Sequence, residues 1–213
     1  MNSTRALEIF SPYEAIIFDY GGIFIDIDYH ATAVAFSKLA GGISTDQIFS
    51  QHVQSPIFNL LETGRITPLK FFDELRLLFQ IPNVTDSELT QAWCAMLGEI
   101  KKERVDFLRE LKKTKRIFML SNINQIHQDF AQDYIAKTGY LKDFYSLFDH
   151  VYFSHQIGMR KPDPEIFEYV CKQSKLEYSK TIFIDDSIQH INSAKKIGLS
   201  THHLVPANSF IFS

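Results

Sequence analysis

The sequence predicts an α/β fold, a Rossmann-like parallel sheet of about five strands with helices on both faces and an inserted helical cap domain. In the second half of the chain, short apolar runs of strand length alternate with single helical segments. Strands joined in this way form parallel sheets through right-handed crossovers. A long stretch of purely helical pattern follows the first apolar run directly, and this position indicates an insertion.

The composition argues against several classes of protein, among them nucleic-acid-binding, membrane and disulfide-rich proteins. The chain has 213 residues, 45% of them hydrophobic, and a net charge of −3. The absence of a basic excess argues against a nucleic-acid partner. No apolar run approaches the ~20 residues that a membrane helix needs, and the N-terminus does not resemble a signal peptide. Cys94 and Cys171 match no zinc or disulfide framework. We therefore expect a cytoplasmic protein without a membrane partner, either a monomer or a weak homo-oligomer.

The first strand candidate is residues 15–18, a continuous apolar run that suits a strand covered on both faces. Asp19 follows it directly, and Gly21 and Gly22 come next. Ligands of open α/β sheets bind beyond the carboxyl ends of such strands, which makes Asp19 a candidate for chemistry. The alternative is an Asp-x-Gly-Gly turn that closes a hairpin. Residues 23–28 are expected to form a short strand or flap.

Residues 29–111 are predicted to form the helical cap, and residues 1–28 with 112–213 the discontinuous α/β core. Helix starts within the cap are indicated by capping boxes at 44–47 and 85–88 and by Thr67 before Pro68. The predicted helices include 30–40, 85–97 and 100–111. An apolar stripe at helical spacing is interpreted as the cap's own core; it comprises Phe71, Phe72, Leu75, Leu78 and Phe79.

Four more strands and three helices are predicted in the core. The strands are residues 117–120, 151–153, 181–184 and 202–205. The helices end near residues 137 and 175 and before Gly198, and Asp163-Pro164 is typical of a helix start.

Polar residues follow three of the predicted strands directly. One more polar residue, Lys161, comes just before a predicted helix, and all of them are expected at the same edge of the sheet. They are Asp19, Ser121, Asn122, Lys161, Asp185 and Asp186. Carboxylates together with phosphate oxygens are the setting that Mg2+ prefers, while hydroxyl, amide and ammonium groups donate to phosphate. Each residue also has an ordinary explanation: a helix cap for Asp185 and Asp186, a turn for Ser121 and Asn122, and a solvated charge for Lys161.

The order of these motifs resembles that of the haloacid dehalogenase-like hydrolases over nearly the whole chain. FDYGG, LSN, RKPDPEIF and FIDDS are similar to the four motifs of that family. The helical insertion between the first two motifs resembles members with a helical cap. The strings FDYGGIFIDID and GMRKPDPEIF look most like the sugar-phosphate phosphatases, a branch that includes glucose-1-phosphate phosphatases.

The resemblance implies a Mg2+-dependent phosphatase that forms an aspartyl phosphate on Asp19 from a small phosphorylated metabolite. Asp19 would be both nucleophile and metal ligand. The other metal ligands would be the carbonyl of Gly21 and the carboxylate of Asp186, with Asp185 in support.

The resemblance also implies how the phosphoryl group is held. Ser121 and the backbone of Asn122 would bind its oxygens, and Lys161 would balance the charge on the phosphate and on Asp19. Such a division agrees with phosphoryl transfer in general, which depends on positioning and electrostatic stabilisation.

One position departs from the family pattern. Most phosphatases of this family place an acid–base aspartate two residues after the nucleophile, where this chain has Gly21. Losing a general acid–base group costs about 10²–10⁴-fold in rate, so good leaving groups should suffer least and the phosphoenzyme should accumulate. Asp26 and Asp28 are candidate substitutes, although Asp more commonly caps helices and builds turns.

Substrate contacts and competing functions are less strongly indicated. His30, His52, Arg65 and Arg160 are candidates for substrate contact, with Arg160 favoured by its position beside Lys161; His155, His190, His202 and His203 show no ligand spacing. One alternative function is a metal-free haloacid dehalogenase, which would have no reason to keep paired carboxylates. The other is a catalytically weakened relative that binds a phosphometabolite or a protein.

Overall fold

The computed structural model describes residues 9–42 and 56–205. The strands in these ranges are β1 (Ala15–Phe18), β2 (Ile25–Ile27), β3 (Leu97–Ile100), β4 (Arg116–Ser121), β5 (His150–Phe153), β6 (Thr181–Asp185) and β7 (Ser200–His203). The α-helices are α1 (Tyr29–Leu39), α2 (Pro56–Glu62), α3 (Pro68–Phe79), α4 (Asp86–Cys94), α5 (Lys102–Lys112), α6 (Gln125–Lys137), α7 (Ser154–Ile157), α8 (Pro164–Gln173) and α9 (Ile188–Lys196). No helix among these is both long and apolar enough to cross a membrane.

Five strands form one parallel sheet in the order β5-β4-β1-β6-β7. The central strand β1 pairs with β4 on one side and β6 on the other, and Phe18 lies opposite both Met119 and Ile184. The residues that follow β1, β4 and β6 therefore emerge side by side at one edge. This arrangement confirms the predicted Rossmann-like fold class.

Helices cover both faces of the sheet. Ile16 and Phe18 point into a cluster that includes residues of α5, whereas Ala15 and Ile17 point into a second cluster with residues of α8 and α9. All four side chains of β1 are buried. Burial on alternate faces explains why this strand is a continuous apolar run.

The inserted helices have a third hydrophobic cluster of their own. The predicted stripe supplies four of its residues, but Leu78 is 45% exposed, because it lies off the buried face of α3. Thr67 and Thr85 cap α3 and α4 through their side chains, as predicted. The predicted helix 85–97 is shorter in the structure and ends at Cys94. The capping box at 44–47 lies outside the described residues.

The strand β3 is missing from the sequence-based prediction. It pairs antiparallel with β2, which places Ile25 opposite Ile100. Four residues, two of them Gly98 and Glu99, carry too little apolar pattern to indicate a strand. The following helix α5 packs within the cluster that lies on the sheet. Because the predicted boundary at residue 111 assigns α5 to the cap, we propose a boundary near residue 100 instead.

Candidate active site

A cavity of about 790 Å³ opens at the carboxyl edge of the sheet, beneath the inserted helices. Five of the predicted site residues line it, namely Asp19, Gly21, Ser121, Asn122 and Asp186. Asp19 follows the central strand, Ser121 ends β4 and Asp186 follows β6. Parallel pairing of these three strands thus brings together residues that lie far apart in the sequence.

Lys161 lies beside Asp19 and is fully buried. Its Nζ is 2.7 Å from Oδ1 of Asp19 and 2.7 Å from Oδ2 of Asp185. Burial disfavours the ammonium, but the two carboxylates outweigh it and raise the pKa of Lys161. Burial is also the main reason why the pKa of Asp19 is raised, against the opposing effect of Lys161. A single buried cation therefore serves two buried carboxyl groups.

Asp185 is occupied by donors from three directions. It accepts from Lys161, from the backbone N–H of Ser187 at 2.7 Å, and from Nδ1 of His190 at 2.9 and 3.0 Å. Burial opposes its ionisation, yet Lys161 and His190 hold the pKa of Asp185 below its usual range. We infer that Asp185 holds Lys161 in place.

His190 belongs to this site although its spacing in the sequence did not indicate it. Asp19, Asp185 and His190 bring one ligand atom each to within 4.8 Å of one another. His190 is in the first turn of α9, where its side chain reaches back to the end of β6. A histidine in the first turn after a strand-end carboxylate is the signal that could have found it.

Asn122 fastens the loop that carries Lys161. Its Nδ2 donates to the carbonyl oxygen of Lys161 and its Oδ1 accepts from the N–H of Lys161, both at 2.8 Å. The side chain of Asn122 is therefore committed to Lys161, and its backbone N–H is the group that we propose for a phosphoryl oxygen.

Asp186 lies directly over Gly22. A Cβ at Gly22 would stand 2.1 Å from Oδ2 of Asp186, and Gly22 has a φ of +70°. Burial, reinforced by the charges of Asp19 and Asp185, raises the pKa of Asp186 to about 7. Crowded carboxylates of this kind favour a bound cation, and oxygen ligands suit Mg2+. The residues present therefore fit a magnesium ion.

Asp26 and Asp28 are the candidates for the missing acid, and the carboxylates of both are bound to other groups of the protein. Asp28 caps α1 by accepting from the N–H groups of His30 and Ala31 at 3.0 and 3.3 Å. Asp26 is ion-paired with Arg104 at 2.8 Å. Both carboxylates have the structural roles that their residue type favours.

The inserted helices supply much of the remaining cavity wall, and Arg160 supplies part of the rest. The lining includes Tyr29, Phe58, Glu62, Trp93, Met96, Arg160, His190 and His203. His30 and Arg65, two of the predicted substrate contacts, are not among the residues that line the cavity. His52 lies outside the described residues.

A buried network ties the insertion to the loop after β4. Nε2 of His127 lies 3.0 Å from the carbonyl oxygen of Trp93, and the two rings stack with centroids 4.8 Å apart. Asn124 contacts Nδ1 of His127 at 3.2 Å. Burial lowers the pKa of His127 to about 4. We therefore infer a neutral ring that donates to Trp93 and accepts from Asn124.

Comparison with known proteins identifies the family of this chain. The sequence profile of the haloacid dehalogenase-like hydrolases matches residues 13–198. The chain belongs to the haloacid dehalogenase-like hydrolase family. A D-ribitol-5-phosphate phosphatase from Bacteroides thetaiotaomicron is 32% identical over 188 residues, which cover 87% of this chain and 89% of that protein. A sesquiterpene phosphatase from Aspergillus oryzae is 29% identical over 197 residues, which cover 91% of this chain and 91% of that protein.

A solved structure shares the fold of this hydrolase. An aspartate-to-alanine variant of a haloacid dehalogenase family enzyme from Bacteroides thetaiotaomicron, in complex with magnesium and inorganic phosphate, superposes with a TM-score of 0.83. The two chains are 28% identical, and the match covers 91% of this chain and 94% of the other. The family resemblance stated from the motifs is thus confirmed, and relatives of this hydrolase are named as phosphatases.

Proposed function

We propose that this hydrolase is a Mg2+-dependent phosphatase that transfers the phosphoryl group of a small metabolite to Asp19. The observation that carries the proposal is the position of Asp19 at the end of the central strand, in contact with a cavity and 2.7 Å from the buried Nζ of Lys161. Ser121 and Asn122 line the same cavity. The hydroxyl of Ser121 and the backbone N–H of Asn122 would provide donors for phosphoryl oxygens.

The chemistry proceeds in two displacements at phosphorus. A carboxylate oxygen of Asp19 forms a bond to phosphorus while the bond to the leaving oxygen breaks, which gives an aspartyl phosphate and the free alcohol. Water then attacks the same phosphorus, the bond to Asp19 breaks, and inorganic phosphate leaves. With glycine at position 21, the proton for the leaving oxygen comes from solvent in the cavity. Lys161 balances the charge that develops next to Asp19.

Asp19, the carbonyl of Gly21 and Asp186 would hold the magnesium ion. The ion, when bound, supplies positive charge that neutralises the phosphoryl oxygens. Asp185 keeps Lys161 oriented and leaves ion binding to Asp186, whose carboxylate lies over Gly22.

Small phosphorylated metabolites are the proposed substrates, with sugar and polyol phosphates as the first class to test. A cavity of about 790 Å³ is large enough for such a molecule. One relative is named for D-ribitol 5-phosphate, and the motif resemblance implies a sugar phosphate such as glucose 1-phosphate. Both compounds belong in a panel of phosphometabolites assayed for released phosphate.

Turnover of p-nitrophenyl phosphate tests the reaction itself. We expect hydrolysis that requires Mg2+ and that is lost in Asp19→Asn. Activity indifferent to both the metal and the substitution would contradict the proposal. Absence of turnover with every phosphate, together with tight binding of a phosphometabolite, would favour the binding-only relative. Metal-independent release of halide from a 2-haloacid would favour the dehalogenase.

A further inference from the structure

An ion pair joins the inserted helices to the sheet across one wall of the cavity. Nη2 of Arg160 lies 3.0 Å from Oε2 of Glu62, the last residue of α2. Nη1 of Arg160 also donates to Oδ1 of Asn59 at 3.3 Å. Arg160 directly precedes Lys161, so the pair stands one residue away from the buried ammonium of the site.

The surroundings show that this pair is a built part of the wall. The side chains of Arg160 and Glu62 are only 19% and 15% exposed, although both border the cavity. In the turn after α2, Gly64 has a φ of +65°, and a Cβ there would lie 2.2 Å from the carbonyl oxygen of His155. The end of α2 is therefore held tightly against the sheet domain. Withdrawing two charges from water costs free energy. An ion pair exposed on the surface does not carry that cost.

Tyr29 relates the pair to the reacting end of the site. Burial and the nearby charges of Asp186, Asp19 and Glu62 together raise the pKa of the Tyr29 hydroxyl. Tyr29 also lines the same cavity as Asp19, Glu62 and Arg160. Because these residues border one cavity, a substrate whose phosphorus sits at Asp19 has room to extend its leaving group toward Glu62 and Arg160.

We propose that Glu62 and Arg160 form a leaving-group subsite that selects phosphates of polyhydroxylated chains. The inference rests on the proposed phosphatase function. The carboxylate accepts from hydroxyl groups and the guanidinium donates to them, and hydrogen bonds to charged groups are the stronger ones. An alkyl leaving group would cover the pair without replacing its bonds to water, and such a site rejects it. Phe58 and Trp93 offer an apolar surface to the carbon chain.

Two substrates that differ only in their hydroxyl groups test this subsite. D-ribitol 5-phosphate and n-pentyl phosphate have leaving groups of the same length, so the ratio of their kcat/KM values reports hydroxyl recognition. Removing one member of the pair would leave a buried charge without its partner. The informative variant is therefore the double substitution Glu62→Leu/Arg160→Met. Glu110→Leu/Lys113→Met removes an exposed ion pair at the C-terminal end of α5 and is the matched control.

We expect the wild type to prefer the ribitol ester, and the double variant to lower that preference by about 10- to 100-fold. The control should keep the wild-type ratio. A ratio that is unchanged in Glu62→Leu/Arg160→Met would overturn the proposal. So would a wild-type preference for n-pentyl phosphate, which would assign the cavity to an apolar leaving group.

Calorimetry separates this inference from the phosphatase reaction. D-ribitol 5-phosphate is titrated, with Mg2+ present, into Asp19→Asn with and without the double substitution. Weaker binding by about tenfold or more without the pair supports the subsite, even if no phosphate is ever hydrolysed. Equal binding refutes the subsite, even if both esters are hydrolysed with Mg2+ by the wild type.

Discussion

The side-chain amide of Asn122 makes two 2.8 Å hydrogen bonds with the main chain of Lys161, one to its carbonyl oxygen and one from its N–H. This contact joins the loop after β4 to the loop before α8. The position of the buried ammonium beside Asp19 thus depends on a residue whose side chain lies one strand away from the nucleophile.

Replacing Asn122 by alanine should lower kcat by about 10²-fold, the scale for a misplacement of about 1 Å in a reacting group. The free energy of unfolding should fall by about 1–3 kcal/mol because the partner groups on Lys161 lose their bonds. Steady-state kinetics and urea unfolding measure the two effects. Asn83→Ala, at an exposed loop position, is the control. Wild-type kcat in Asn122→Ala would mean that the clamp does not position Lys161.

Removing the ammonium should destabilise the protein strongly. Lys161→Met leaves Asp19 and Asp185 without their shared cation, and breaking a buried ion pair in this way costs about 3–5 kcal/mol. Adding Asp185→Asn to Lys161→Met should recover part of that loss, because one of the two unpaired carboxylates is gone. Chemical denaturation of both variants checks the order. Equal stability of wild type and Lys161→Met would show that the ion pairs are weak.

The two adjacent glycines should respond differently to the same substitution. A Cβ at Gly22 would collide with Asp186 at 2.1 Å and would strain a φ of +70°, whereas a Cβ at Gly21 meets only Ile27 at 3.4 Å. Gly22→Ala should therefore raise the Mg2+ concentration that gives half-maximal activity by at least about tenfold. Gly21→Ala serves as the control and should shift it far less. The same metal requirement in both variants would contradict the assignment of Asp186 to the ion.

His127 should make stability depend on pH. Burial lowers its pKa to about 4 in the folded protein from 6.5, so the unfolded chain binds the extra proton between these values. The free energy of unfolding should be undiminished above pH 6.5 and should fall as the pH drops toward 4, by up to about 3 kcal/mol from this residue. His127→Gln should flatten that slope, whereas His30→Gln, at an exposed position, should keep it. An unchanged slope in His127→Gln would refute the role assigned to this ring.

The sheet was predictable because its strands carry two independent signals. Residues of β1 are apolar on both faces, and a helix separates each of the later strands, so both strand identity and parallel pairing follow from the sequence. The strand β3 was not predictable, since Gly98 and Glu99 leave only two apolar residues in it. Pairing with β2 across the insertion, which no local pattern reports, forms this strand.

The residues of the candidate site also differ in how far local sequence signals predict them. Residues at the end of a strand or directly after it, such as Ser121 and Asp19, could be found because the edge of a parallel sheet gathers them. Glu62 could not, since it reaches the site from the end of an inserted helix and its direction depends on packing. His190 has one signal in the sequence, its position in the first turn after a strand-end carboxylate. Asp26 and Asp28 have the ordinary structural roles that their residue type favours, but the partner of Asp26, Arg104, is set by the fold.

The most direct test of the account is to trap the phosphorylated protein. Rapid acid quench after mixing with p-nitrophenyl phosphate and Mg2+ should show a burst of nitrophenol and, by peptide mass spectrometry, a phosphoryl group on Asp19. The peptide from Asp19→Asn should stay unmodified. Steady nitrophenol release with no burst and an unmodified Asp19 peptide, or a phosphoryl group on another residue, would contradict the central claim that Asp19 is the nucleophile.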